Sequence, residues 1–336
     1  MRDKVNESNN TPYRHFFAEE SVQRLPEFGS LQKRYPYLEQ IEDYQKFRKE
    51  DITREKDCLI FAKKRGPWLK PFHCYDEPSY RYLSLDVAEG CFFDCAYCYL
   101  QSYLNHGALV IFLDLESLVV ELDALPGDRF WISTGLLSDS LLAERSWPIL
   151  PELSRRIPDG SVLELRSKSN DVSIMKDSSI TRGPVVISWS LNPDRIAATY
   201  EYRAAPMSDR LSAAHQAIQY GYRVAFHFDP VFFYDTWKED YSELFDTLNQ
   251  FPVDRIAFLS VGLFRYMPDL GAVIRKRFPF HPILTGEFFP DEDGKYHYFR
   301  TIRKQMYNAF SEWIAPWKEK MPVFWSMEPD SRLVPK

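Results

Sequence analysis

The chain has 336 residues, 42 Lys and Arg against 48 Asp and Glu, and a formal net charge of −6; 45% of it is hydrophobic and 16% aromatic. That is enough apolar material for a real core, and the acidic balance excludes a protein that coats nucleic acid through bulk positive charge, though not one with a local basic groove. No apolar run is long enough for a membrane span, the start Met1-Arg-Asp-Lys-Val-Asn-Glu-Ser-Asn-Asn10 has no signal-peptide core, and five cysteines at irregular spacing point to a reducing, cytoplasmic setting.

Residues 1–78 form an N-terminal extension whose role is not readable from its residues. Ser21–Phe28 and Leu31–Phe47 predict short helices interrupted by Pro26 and Pro36, and Cys58–Ala62 predicts a strand. Lys63-Lys-Arg-Gly-Pro-Trp-Leu-Lys-Pro71 reads as a surface loop that packs Trp68, or as a phosphate contact with Trp68 stacking. From residue 79 to 262 the pattern becomes regular. Apolar runs at Tyr82–Val87, Ala108–Phe112, Arg129–Ser133, Val162–Leu165, Val185–Trp189, Arg223–Phe228 and Ile256–Val261 alternate with amphipathic stretches at Glu116–Leu125, Trp147–Arg156, Ser208–Tyr220 and Lys238–Gln250. This alternation predicts an α/β fold whose parallel sheet curls into a full or partial barrel, with active groups at the C-terminal strand ends. Residues 263–336 form an α+β extension. There Asp293-Gly294 between aromatic runs predicts a β-hairpin, Thr301–Lys318 a helix and Val323–Met327 a last strand.

The chemistry concentrates in Gly90-Cys-Phe-Phe-Asp-Cys-Ala-Tyr-Cys-Tyr-Leu100. Cys91, Cys95 and Cys98 leave the end of a strand at C-x3-C-x2-C spacing, and three thiolates turned to one point are soft ligands suited to an iron–sulfur cluster. Three ligands on a four-iron cubane leave one iron open to bind and reduce a small molecule. A zinc knuckle or three buried thiols are the plainer readings, but zinc usually takes four ligands in C-x2-4-C pairs and no second pair follows. Cys58 and Cys74 stand apart upstream and read as core thiols.

With an aromatic before the last cysteine, the motif resembles that of radical S-adenosylmethionine (SAM) enzymes. More narrowly, the chain resembles the spore photoproduct lyase family, through Lys64-Arg-Gly-Pro-Trp-Leu-Lys-Pro71, Gly90–Gln101, Ser188-Trp-Ser-Leu-Asn-Pro193, Phe228-Asp-Pro230, Gly286-Glu-Phe288 and Tyr298-Phe-Arg300. The resemblance implies a partial (β/α)6 barrel and a [4Fe-4S] cluster on Cys91, Cys95 and Cys98. It implies SAM contacts from Ser138, Lys168 and Ser190, and reductive SAM cleavage to a 5′-deoxyadenosyl radical that takes hydrogen from a thymine-dimer lesion and repairs it. Tyr97 and Tyr99 would help return hydrogen to the product. Where the family has a relay cysteine, this chain has Leu136.

The implied partners are damaged duplex DNA, with the lesion flipped out, and a flavodoxin- or ferredoxin-like electron donor; the chain itself is expected to be a monomer. The hairpin would act as a wedge, with Tyr296, Tyr298 and Phe299 stacking and Lys295 and Arg300 holding phosphates, and Arg275, Lys276 and Arg277 extending the groove. A hairpin packed on its own barrel is the plainer alternative. Two further readings stay open: a radical SAM enzyme on another nucleic acid or small molecule, and a DNA-binding protein without catalysis. His227 reads as a core histidine, with Asp229 beside it at a strand end.

Overall fold

The computed structural model describes residues 11–48, 52–72 and 78–334; Cys74 lies outside them. Seven parallel strands form the main sheet: β1 (Arg81–Leu85), β2 (Phe130–Thr134), β3 (Val162–Ser167), β4 (Val185–Ser190), β5 (Arg223–Val231), β6 (Ile256–Leu263) and β7 (Val323–Trp325). They lie in sequence order, with the short strand Leu69–Pro71 antiparallel at the β1 edge, and curl into a half-barrel. Consecutive strands joined through helices on the outside are what the alternating apolar runs predict. Helices Leu115–Asp123, Met207–Gln219, Trp237–Thr247 and Arg300–Lys318 fall close to the predicted stretches.

One predicted barrel strand goes elsewhere. Leu109–Leu113 pairs with Cys58–Lys63 in a second, five-stranded sheet that also holds His15–Glu19, Glu39–Ile41 and Ala88–Glu89. All five of its side chains are buried, as in a barrel strand, so period and composition do not distinguish the two destinations. Pairing partners decide, and Cys58–Lys63 is the apolar neighbour available. Cys58 is fully buried there, a core thiol. Trp68 is buried as well and donates its ring N–H to Ser117 at 2.9 Å, so it packs the sheet junction instead of offering a stacking face.

Side chains alternate along each barrel strand between the helices outside and the lumen inside. Trp131, Val162, Val186, Ala225, Phe258 and Phe324 close the lumen floor as one apolar cluster. The next lumen layer is polar: Glu164 accepts hydrogen bonds from Trp131 Nε1 at 2.9 Å and from the Ser133 and Ser188 hydroxyls, and contacts His227 Nε2 at 2.8 Å. Burial opposes the charge of Glu164, but Arg166 and His227 outweigh it and hold the carboxyl well below its ordinary range. Burial and the Arg166 charge together lower His227, against the pull of Glu164.

A second buried carboxylate titrates in the opposite sense. Glu144 lies in the helix Ser140–Ser146 and accepts the backbone N–H groups of Ile149 and Leu150, at 2.8–3.1 Å, where the next helix starts. Burial outweighs those donors and pushes its carboxyl from 4.5 up to about 7. The folded protein therefore holds this proton more tightly than the unfolded chain. The resulting stability is full below about 4.5 and is lost as pH rises through about 7. A shift of that size corresponds to about 3 kcal/mol. In melting curves taken across this window, Glu144→Gln is expected to flatten the pH dependence of the wild type; an unchanged slope would assign it to other groups.

Candidate active site

The cysteine loop begins where β1 ends, at the C-terminal rim of the half-barrel. Gly90 turns it with φ of +82°, and an added Cβ would stand 1.9 Å from the Ala108 carbonyl oxygen, so only glycine fits this turn. Beyond the turn, three side chains fix the loop backbone. Lys56 donates to the carbonyls of Cys91 (3.0 Å) and Phe93 (2.9 Å). The Gln101 amide donates to the carbonyls of Cys95, Ala96 and Cys98 at 3.0–3.3 Å. Arg277 forms two 3.0 Å hydrogen bonds to the Asp94 carboxylate and also reaches Gln101. Arg277 thus clamps the cysteine loop, while only the preceding Arg275 and Lys276 face outward from the predicted basic groove.

The donor set fits a soft metal cluster. Burial raises the Cys91 thiol well above its ordinary range and pushes Cys95 up to about 12, with the neighbouring thiols adding to both. Lys56 pulls Cys91 the other way, and Lys168 does so for Cys95. Buried, mutually repelling thiols ionise when a cation takes their charge, which is the condition for thiolate ligation. Among the described residues, no three His, Cys, Asp or Glu side chains gather around one point as a single metal ion needs. A cubane asks for one thiolate on each of three irons.

Ser138, Lys168 and Ser190 follow or end β2, β3 and β4, three neighbouring strands at the same rim. Asp139 ties the first two together. Its carboxylate accepts Leu142 N–H (3.1 Å), the Ser167 hydroxyl (2.9 and 3.0 Å) and Lys168 N–H (2.8 Å), so it is the N-cap of the Ser140–Ser146 helix. Capping of that helix therefore falls to Asp139 and leaves the Ser138 side chain out of it. The Lys168 ammonium stands 5.6 Å from the centre of the Tyr97 ring, next to the cysteine loop.

The two tyrosines differ. Tyr97 is buried and donates its hydroxyl to Glu201, which Arg210 pairs from the other side. Tyr99 is exposed and donates to the backbone carbonyl of Leu136, which brings the relay position into direct contact with it. Neither Glu201 nor Arg210 stands out in the sequence. A charged residue inside an apolar run, as in Val162-Leu-Glu-Leu-Arg166, is the signal that would have found the lumen network.

The hairpin forms as predicted, Phe288–Pro290 pairing antiparallel with Tyr296–Tyr298. Its side chains sit less openly than a stacking wedge needs. Tyr298 is buried at the root, its ring stacked on Phe288 at 4.6 Å and its oxygen accepting Phe233 N–H. Tyr296 is half-buried and stacks on Tyr266 at 5.2 Å. Lys295 pairs with Asp293 and Arg300 with Asp330, each at 3.0 Å. The exposed rings are Phe289 and Phe299, in contact at 6.1 Å.

A family model described as spore photoproduct lyase matches residues 160–310. A spore photoproduct lyase of Clostridium acetobutylicum is 25% identical over 174 residues, 50% of this chain and 52% of the relative. Over these residues the chain is similar to the spore photoproduct lyases. A second lyase, of Bacillus subtilis, is 24% identical over 213 residues, 60% of the chain and 62% of the relative, so the match spans about half to three-fifths of these curated proteins. Among solved structures, spore photoproduct lyase complexed with dinucleoside spore photoproduct superposes with a TM-score of 0.80, at 19% identity, over 94% of this chain and all of that one. A mutant lyase with bound AdoMet and dinucleoside spore photoproduct gives 0.81 at 17% identity, over 93% and 99%. These likenesses establish the half-barrel fold.

Proposed function

We propose that the chain is a radical SAM enzyme that repairs a thymine-dimer lesion in DNA. The observation that carries this is the clamped C-x3-C-x2-C loop, at a strand end beside three rim residues expected to hold SAM. Cys91, Cys95 and Cys98 would hold a [4Fe-4S] cluster, Lys168 would pair with the methionyl carboxylate, and Ser138 and Ser190 would meet the amino-acid group. When bound, cluster and SAM supply reductive sulfonium cleavage and a radical able to take hydrogen from carbon. The buried apolar floor closes the lumen at the end away from the rim. The lyases solved with dinucleoside spore photoproduct support a DNA-lesion substrate. For DNA contact, the exposed Phe289 and Phe299 are better stacking faces than Tyr298, and Lys295, Tyr296 and Arg300 would serve the strand backbone after leaving their present partners. A flavodoxin- or ferredoxin-like protein would supply the electron to a cytoplasmic monomer.

Leu136 favours a second reading, a radical SAM enzyme on another nucleic acid or small molecule, because no thiol can return hydrogen from that position. Reconstituted protein incubated with SAM, dithionite and a synthetic dimer dinucleotide is expected to yield thymidylyl-thymidine. SAM cleavage without that product would move the reading to the second class.

A further inference from the structure

The polar layer of the lumen continues upward. Ser133, Glu164, Ser188, His227 and Ser260 meet one another through Glu164 and His227, which also contacts the Ser260 hydroxyl at 2.6 Å. Strand side chains repeat every second residue, so the next layer toward the rim comprises Gly135, Arg166, Ser190, Asp229 and Gly262. Ser190 is an expected SAM contact, so a substrate seated against SAM would meet this layer.

Its charges are held in ion pairs. Burying an ion costs several kcal/mol in effect, even when a partner recovers part of it. Yet Asp229 pairs with Arg265 (3.1 and 3.3 Å), and Arg166 chelates Glu164 (3.0 and 3.2 Å), inside a barrel whose floor is apolar. Gly262 makes room for one of them, because a Cβ there would stand 2.7 Å from the Asp229 carboxylate. Both side chains also keep part of their surface exposed. The Asp229 side chain is 23% exposed and that of Arg166 is 21%, over Glu164 at 0% and His227 at 6%. The two hydrogen bonds from Arg265 use half of the roughly four acceptor positions of the Asp229 carboxylate.

We propose that Asp229 and Arg166 read the imide edge of a pyrimidine in the substrate, Asp229 accepting its N3–H and Arg166 donating to an adjacent carbonyl oxygen. An acceptor and a donor in one layer of the lumen match a ring N–H flanked by carbonyls, and a mismatched edge would leave a buried charge unpaired. This assignment rests on the nucleobase substrate proposed above and adds the residues that select it. Asp229 and Arg166 are specificity residues and take no part in bond breaking.

Titration calorimetry of the reconstituted full chain with SAM, without reductant, tests it using thymidylyl-thymidine and its N3-methylated counterpart as probes. The wild type is expected to bind the methylated probe about tenfold more weakly, the worth of one charge-assisted hydrogen bond. Asp229→Asn is expected to abolish that preference, because Arg265 takes the amide oxygen and leaves the NH2 group facing the probe. Unchanged SAM affinity and melting temperature would show that the fold is intact. Equal binding of the two probes by the wild type, binding of neither, or a preference that survives Asp229→Asn would each overturn the assignment. The probe comparison in the wild type decides the matter even if the variant misfolds. Failure to convert the dimer dinucleotide in turnover would remove the lyase reaction and leave this binding preference measurable.

Discussion

Cys95→Ala, purified and reconstituted anaerobically, is expected to lose the brown cluster absorption and to cleave SAM at background level, while its folding free energy falls by only about 1 kcal/mol. The contrast follows from the site. Cys95 is a small buried side chain, and its loop is held by Lys56, Gln101 and Arg277 through backbone carbonyls and Asp94. Removing the sulfur leaves those clamps in place and removes one of three ligands. Iron and sulfide content, optical spectra and a urea melt check the three parts separately. A structural zinc site would behave differently, giving a colourless wild type with stoichiometric zinc and a large loss of stability on substitution.

Arg210→Met is expected to destabilise the protein by about 3–5 kcal/mol in urea unfolding, the usual cost of leaving one member of a buried ion pair alone. Neither side chain of the Arg210–Glu201 pair is exposed to solvent. Arg210 also donates to the carbonyls of Ala205 (2.8 Å) and Ser190 (2.9 Å), while Glu201 receives Asn192 (3.0 Å) and the Tyr97 hydroxyl. Glu201 sits opposite Cys95 in a short antiparallel pair, so the cost extends to the ligand loop, and cluster loading should fall with stability. Arg210→Met combined with Glu201→Gln is expected to recover part of the loss, since no charge is then stranded. Burial opposes the Glu201 charge, but Arg210 and Lys168 outweigh it and hold the carboxyl below 4.5. Its stabilisation is therefore present above that pH and is lost as acid takes the pH down through the lowered value. Equal stability of Arg210→Met and wild type would remove the pair from the structural account.

The sequence revealed most where a residue's role is local. The strand runs rich in Val, Ile and Phe, the helices between them, the Asp293-Gly294 hairpin turn and the strand-end position of the cysteines all follow from patterns within a few residues. Roles that depend on distant partners stayed hidden. Leu109–Leu113 is as apolar as any barrel strand, and only its pairing with Cys58–Lys63 shows that it belongs to another sheet. Arg277 reads as one more cation on a basic helix end, but it lies 183 residues from Asp94, its partner in the ligand loop. Asp139, Glu201 and Arg210 are ordinary charged residues in sequence, and their positioning roles exist only once β2, β3 and β4 lie side by side. Tyr298 belongs with these: its aromatic character suggested stacking, and its burial against Phe288 and Phe233 follows from the fold.

Mass spectrometry of SAM incubated anaerobically with the reconstituted protein and dithionite bears most directly on the reading of the Cys91–Cys98 loop. The account predicts 5′-deoxyadenosine and methionine from the wild type and neither from Cys95→Ala. Intact SAM beside a wild-type protein fully loaded with iron and sulfide would contradict it.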